Sequence, residues 1–285
     1  MVDKLRVHFD EESSEEVSLT NDFHCLGRII PTDQKLVTIA HDRTVADAFK
    51  LMKRVGYSQL PVVAGNRVLG IFSYRSFSTK ITEIGETLRK EQCLPGDWEV
   101  AEFIEKPVYA RLENGIDEWF DELDKNDCLL IGNPDLTQGI LTSIDILRYL
   151  YRVASPFVLI AEIELCLRAL IRTTAKPSDL KDMCDQCLNH YPEEHRPTAV
   201  EQMTFADYAS LVSRKAHWNQ YFKSVLGGSR LGTKANLDEI AQLRNDIFHF
   251  RRKLSTIEYD NLVGHRDWIL LKATTAEHIK KGGGE

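Results

Sequence analysis

No apolar run in this sequence is long enough to span a bilayer. The longest, over 157–170, is interrupted by Glu162 and Glu164, which argues against a membrane helix. The charged start VDKLRVHFDEESSEE lacks the apolar core of a secretory signal, so the expected location is cytoplasmic, with no membrane partner. The six cysteines are scattered through 285 residues, a pattern of free thiols rather than a disulfide framework. There is no Gly-rich phosphate loop and no recognisable pair of catalytic carboxylates, which weighs against a nucleotide-modifying or transferase reading. Nor is there an overall basic excess, since the formal net charge is −7.

That charge is divided unevenly. Residues 1–150 hold 17 Lys/Arg against 26 Asp/Glu, or −9, and residues 151–285 hold 19 against 17, or +2. The acidic half is a poor nucleic-acid binder. The second half has local basic groups at Arg251-Arg252-Lys253 and at Arg214, Lys215, His217 and Trp218. Arg252 lies close in helical angle to Asn245 and is a reasonable phosphate contact. The length implies two domains. The acidic stretch 10–16 reads as a weakly ordered tail and KKGGGE as a fraying end.

The first half repeats with a period of about 70 residues. In the first copy TVADAFKLM reads as a short amphipathic helix, QLPVV as a strand, Gly65-Asn66 as a hairpin turn and 68–73 as a second strand. In the second copy 115–123 takes the helix role, 128–131 and 139–142 the strands, and 144–151 the last helix. One copy has a thin core, so pairing two buries shared sheet faces.

These segments, together with YSQLPVVAGNRVLGIFSYRSF and GILTSIDILRYL, resemble a tandem pair of CBS domains, with copies over 24–82 and 98–153 after an acidic tail over 1–23. The resemblance implies that the Gly-x-x-Thr/Ser-x-x-Asp element binds an adenine nucleotide (AMP, ADP or ATP) as a regulatory ligand. Hydroxyl to phosphate and carboxylate to ribose is sensible chemistry for each group. Thr142 and Asp145 match the element, whereas the first copy has Ser73 but Ser76 in place of the aspartate. Carried over from the family, the intact site joins Ile140, Thr142 and Asp145 to Thr38, Tyr57, Ser58 and Gln59, with Arg43 nearby for a phosphate. Taken alone, Thr142 and Asp145 also suit a strand end and the first turn of a helix.

The second half reads as helices over 153–171, 199–226 and 236–255. In the last, Asn236 and Glu239 resemble a capping box that starts the helix near Leu237. Ile240, Leu243, Ile247, Phe250 and Leu254 draw one apolar stripe. Asn245 and His249 fall roughly opposite it, Arg244 flanks it, and Phe248 sits off it, which calls for a second covering surface. Spacing alone favours a solvated polar face, because surface arginine and histidine are common. Residue types point further, because arginine holds a phosphate with forked donors and histidine moves a proton near neutral pH.

The string R-N-D-I-F-H resembles the Arg-polar-x-x-x-His signature of the HEPN superfamily, helical domains many of which are metal-independent ribonucleases. The resemblance covers residues 154–285. It implies a homodimer with a composite site, and RNA cleavage by the substrate's own 2′-hydroxyl to a 2′,3′-cyclic phosphate and a 5′-hydroxyl. His249 would handle a proton, Arg244 would stabilise charge on the phosphoryl oxygens, and Asn245 would position phosphate or water. No metal and no cofactor is required. Glu164 and Arg168, four apart on the first helix, have the spacing of an ion pair, which reads as a surface salt bridge more readily than as support for the site.

Cys184-x-x-Cys187-x-x-His190-x4-His195 supplies zinc-ligand residue types, but its spacing fits no common site. A helix over 178–190 capped by Ser178 puts Leu180, Met183, Cys184, Cys187 and Leu188 on one core stripe. The expected fold class is α+β, a tandem CBS repeat followed by an all-α bundle. The expected function is a nucleotide-regulated endoribonuclease of defence or stress response, a homodimer through the helical domain and the CBS pair, in which ligand prefers one arrangement of the sensor dimer and so shifts the angle between the two motif helices. The alternative is a non-enzymatic nucleotide sensor whose helical domain dimerises or binds a partner.

Overall fold

The computed structural model describes residues 25–30, 34–91 and 94–282. The acidic tail over 1–23 and the last glycines lie outside them. The chain divides into two compact units that meet between Leu150 and Tyr151.

The first unit holds the repeat. In its first copy β1 (Ile39–Ala40) pairs parallel to β2 (Gln59–Ala64), and β2 pairs antiparallel to β3 (Arg67–Ser73). In its second copy β4 (Tyr109–Ala110), β5 (Cys128–Asn133) and β6 (Leu136–Thr142) repeat the order and senses. Even the irregularity recurs. The β2–β3 register shifts between Val62 and Val63, and the β5–β6 register between Ile131 and Gly132. The second shift requires glycine: Gly132 has φ +111°, and a Cβ there would lie 2.2 Å from the Leu136 carbonyl oxygen.

Helix α1 (Val45–Val55) starts where the Thr44 hydroxyl accepts from the Asp47 N–H at 3.1 Å, and stops at Gly56, φ +76°. It buries Val45, Ala48 and Met52 against Leu60, Val62 and Phe72. Helix α2 (Tyr74–Glu91) follows β3. In the second copy the expected helix over 115–123 begins later. A 3-10 turn (Asp117–Trp119) leads into α3 (Phe120–Asn126), which closes on Asp127 with φ 63°. The copies share a small core of Val68, Ile71, Cys128 and Leu130.

Helix α4 (Ser143–Thr174) merges the two helices expected over 144–151 and 153–171, with Pro156 inside. Proline removes one backbone donor. The turns on either side are anchored by buried side chains, Ile146 before it and Leu159, Ile160 and Ile163 after it, so the helix continues.

The second unit is all helical: α4 from Tyr151, α5 (Pro177–Cys187), α6 (Phe205–Ser213), α7 (Lys215–His217), a π-helical turn (Trp218–Phe222), α8 (Lys223–Leu226), α9 (Arg230–Phe248) and α10 (Thr256–Gly282). Its core is one cluster that includes Leu167, Leu211, Phe222, Ile240 and Ile269. Helix α5 begins at Pro177 after Lys176 rather than on a Ser178 cap, because proline fits the first helical position. Helix α9 begins at Arg230, not near Leu237. Ser229 caps it by accepting from the Gly232 N–H at 2.9 Å, and the Asn236–Glu239 pair is interior. Among the described residues no helix is long and apolar enough to cross a membrane.

Candidate functional site

The expected nucleotide element lies where β6 runs into α4. The Asp145 carboxylate accepts from the Thr142 N–H at 2.9 Å and from its hydroxyl at 2.6 Å. Arg148 stands 3.8 Å from the same carboxylate. The element is therefore a helix start and a half-buried polar pair at once.

The first copy has a closed version. Ser73 and Ser76 are buried, and each hydroxyl accepts the other residue's N–H, at 2.8 and 2.9 Å. The Ser76 hydroxyl also donates to the Ser73 carbonyl at 3.0 Å. Serine at the aspartate position turns the group inward and leaves no carboxylate for a ribose.

Of the residues expected opposite Thr142, Gln59 comes near. Its side-chain N–H donates to the Asp127 carbonyl at 3.5 Å, and the next residue, Cys128, is the strand partner of Thr142. Ser58 donates to the Gln59 side-chain oxygen at 2.6 Å, and Tyr57 is about half exposed. Thr38 leads into β1. Arg43 sits in the turn after β1: its N–H reaches the Ala40 carbonyl, its own carbonyl accepts from Val100, and its side chain is exposed.

Ile140 already has a partner that the sequence reading missed. The Gln34 carboxamide donates to the Ile140 carbonyl at 3.0 Å and accepts from the Ile140 N–H at 2.9 Å. At the matching place in the first copy, Ile71 makes the same two bonds with the Glu105 backbone, at 3.0 and 2.9 Å. A side chain thus imitates a strand on the edge of β6. A nucleotide base using the Ile140 backbone would have to displace it. An unpaired glutamine before a strand carries no local signal of this.

In the helical unit, α9 ends at Phe248 and His249 caps it, with its N–H on the Asn245 carbonyl at 3.1 Å. His249 therefore projects from a helix end and is exposed, instead of lying inside a helix that continues to residue 255. The chain turns at Phe250, whose φ is +51°. Phe250 is 71% exposed and leaves the expected stripe, while Leu254 stays buried. Arg244 lies half-buried with its guanidinium carbon 5.0 Å from the Phe248 ring centroid, and its Nε is buried without a hydrogen-bond partner. Asn245 is also half-buried. Phe157 of α4 meets Phe248 at 5.4 Å and Phe250 at 6.0 Å. The surface expected over Phe248 is thus partly supplied by α4.

The basic groups nearby are mostly committed. Arg252 donates to the buried Asp246 carboxylate at 2.8 Å and to both Glu258 oxygens at 2.7 Å. The Arg252 hydrogen bonds, foremost, hold the Glu258 carboxyl down at about 2. Arg252 is a clamp across the loop after His249 and not a free phosphate contact. His217 and Trp218 are buried, and Arg214 donates to the Gln186 carbonyl at 2.6 Å, so that group is no basic patch. Burial holds the His217 imidazole below its ordinary range. Arg168 pairs with Glu164 and donates from Nε to the Tyr208 hydroxyl at 2.8 Å, and Tyr208 donates to the Val200 carbonyl at 2.6 Å. The pair joins helices instead of decorating a surface.

The cysteine–histidine string is dispersed. Cys184 is a core residue whose thiol burial pushes up to about 11. Cys187 faces His217 at 3.5 Å, and His190 lies tilted against the Tyr191 ring.

Comparison with known proteins identifies the first copy. The first copy, residues 27–83, matches the CBS domain family. The chain thus has a mixed α/β region containing a CBS domain, followed by a helical region. Similar solved structures include a signal-transduction protein with CBS domains from Burkholderia ambifaria, at 20% identity over 44% of this chain and 90% of that one, TM-score 0.37. Another is CBSX2 in complex with AMP, at 20% identity over 46% and 98%, TM-score 0.38. A third is a CBS-domain protein from Agrobacterium tumefaciens, at 14% identity over 47% and 98%, TM-score 0.39. No curated protein matches the chain.

Proposed function

We propose that this chain is a metal-independent endoribonuclease regulated by an adenine nucleotide. The observation that carries the catalytic part is the end of α9. An arginine lies against an aromatic ring with a buried donor unpartnered, and an exposed histidine follows it at the helix cap. A buried unpaired N–H is costly, and a phosphate oxygen would satisfy it once the side chain turns outward.

In this reading the RNA 2′-hydroxyl attacks the adjacent phosphorus and the 5′-oxygen leaves. His249 exchanges a proton with one of these oxygens. Arg244 stabilises the charge that builds on the phosphoryl oxygens, and Asn245 orients the phosphate. The products are a 2′,3′-cyclic phosphate and a 5′-hydroxyl, and two copies act together. The nucleotide part rests on the CBS match and on the half-buried Thr142–Asp145 pair. One site per chain is expected, because the Ser73–Ser76 element is closed on itself.

The exposed Phe248 and Phe250 favour a second reading, in which the helical unit docks a partner and cleaves nothing. An RNA pool incubated in EDTA with wild type or His249→Ala, with and without AMP, ADP or ATP, separates them. Cleavage by wild type alone, leaving cyclic-phosphate ends and changing with nucleotide, is the expected result. Intact RNA under every nucleotide overturns the ribonuclease.

A further inference from the structure

Helix α4 has an apolar face that the fold leaves bare. Tyr151, Ala154, Val158, Ala161 and Leu165 recur at steps of three, four, three and four residues, and all five are exposed. They lie on the side of the helix away from Ile160, Ile163 and Leu167, which enter the core. A strict three-four alternation is the seam of two helices packed along their length, running about 21 Å at 1.5 Å per residue.

Residue sizes along the seam specify its occupant. The positions of one row are large (Tyr151, Val158, Leu165) and those of the other are alanines (Ala154, Ala161). Two parallel copies would stack large on large and alanine on alanine, alternating crowding with voids. Two antiparallel copies place each row over the other, so a large residue meets an alanine in each of four layers, as close packing requires, and one large residue per copy lies beyond them. The face is its own complement, which is the condition for a two-fold interface.

The seam continues sideways through Phe157 onto Phe248 and Phe250. At 150–250 Å² per aromatic side chain, the exposed parts of Tyr151, Phe248 and Phe250 amount to about 300 Å². That approaches half of the ~800 Å² each partner buries in a stable interface, and the aliphatic seam residues supply more.

We propose that a second copy of this chain docks antiparallel on this face of α4, forming a homodimer with large residues over alanines and with the exposed phenylalanines beside His249 at its edge. The proposal names the surface of the dimer invoked for the ribonuclease, yet it is tested by association alone. A dimer that cleaves no RNA would leave the seam standing, and cleavage by a monomer would refute the seam but not the nuclease.

The test is sedimentation of the full chain beside Ala161→Glu and Ala154→Glu. Both positions are exposed in the single copy, and glutamate is a good helix former, so circular dichroism should be unchanged. Wild type is expected at twice the chain mass, and each variant should associate at least about 30-fold more weakly, the value of a central interface contact near 2 kcal/mol. A monomeric wild type, or a dimer that persists in both variants, would overturn the proposal. Mild oxidation of Ala154→Cys completes it: a mapped 154–154 disulfide would place the copies parallel and overturn the antiparallel packing, and its absence in a dimer is the expected result.

Discussion

Replacing Arg252 by alanine should loosen the segment that carries His249, by an amount the structure bounds. Asp246 sits at the end of α9 with its side chain 7% exposed. Its carboxylate has two side-chain partners, Gln242 at 3.2 Å and Arg252 at 2.8 Å. Breaking a buried pair by removing one partner costs about 3–5 kcal/mol. Arg252 is 45% exposed, so water reaches the gap, and about 2–3 kcal/mol is the better figure. The more exposed Arg252–Glu258 pair adds at most about 0.5 kcal/mol. The change should appear in hydrogen exchange at two amides that hold the loop, Arg251 bonded to the Asp246 carbonyl at 3.0 Å and Ser255 bonded to Glu258 at 2.9 Å. At 1.36 kcal/mol per tenfold, exchange by local opening should accelerate by about 30- to 150-fold. Adding Asp246→Asn removes the stranded charge and should recover at least about 1 kcal/mol of the loss. Unchanged exchange in Arg252→Ala, or no recovery in the double variant, would show that the clamp does not hold the loop.

Two further outcomes follow from particular contacts. Gln34→Ala frees both backbone groups of Ile140, so titration calorimetry should show AMP or ATP binding about 5- to 100-fold tighter, the worth of one to two neutral hydrogen bonds to be displaced; equal affinity would mean the base does not use Ile140. Glu258 sits at about 2 against an ordinary 4.5, so the stability it contributes is complete above about pH 4.5 and is lost as pH falls through 2. Discounted for its half-exposed partner, the Arg252 pair and the Ser255 bonds together make this about 0.5–1 kcal/mol; wild type should lose that advantage over Glu258→Gln between pH 4.5 and 2, and a constant difference across that range would refute it.

Alternation and turn residues made the repeat legible, because strand faces and hairpins are written locally. QLPVV, Gly65-Asn66 and the strands ending at Ser73 and Thr142 lie where their patterns put them. The helical half was harder. Apolar spacing found α9, but not its start at Ser229 or its end at Phe248, since a cap is decided by one side chain and a chain reversal by one positive φ. Phe250 reads as a stripe residue only if the helix continues, and it does not.

Composition and spacing by themselves determined the α/β repeat, the helical second half, the Thr142–Asp145 element and the Arg244–His249 pair. Each depends on residues within a few positions of one another. Tertiary structure alone decided which polar groups remain free. It closed Ser73 on Ser76, gave Ile140 to Gln34 from 106 residues away, spent Arg252 on Asp246 and Glu258, and left His249 exposed and the Arg244 Nε without a partner. Those pairings are contacts in space, and a buried donor or charge takes whichever partner folding brings within reach.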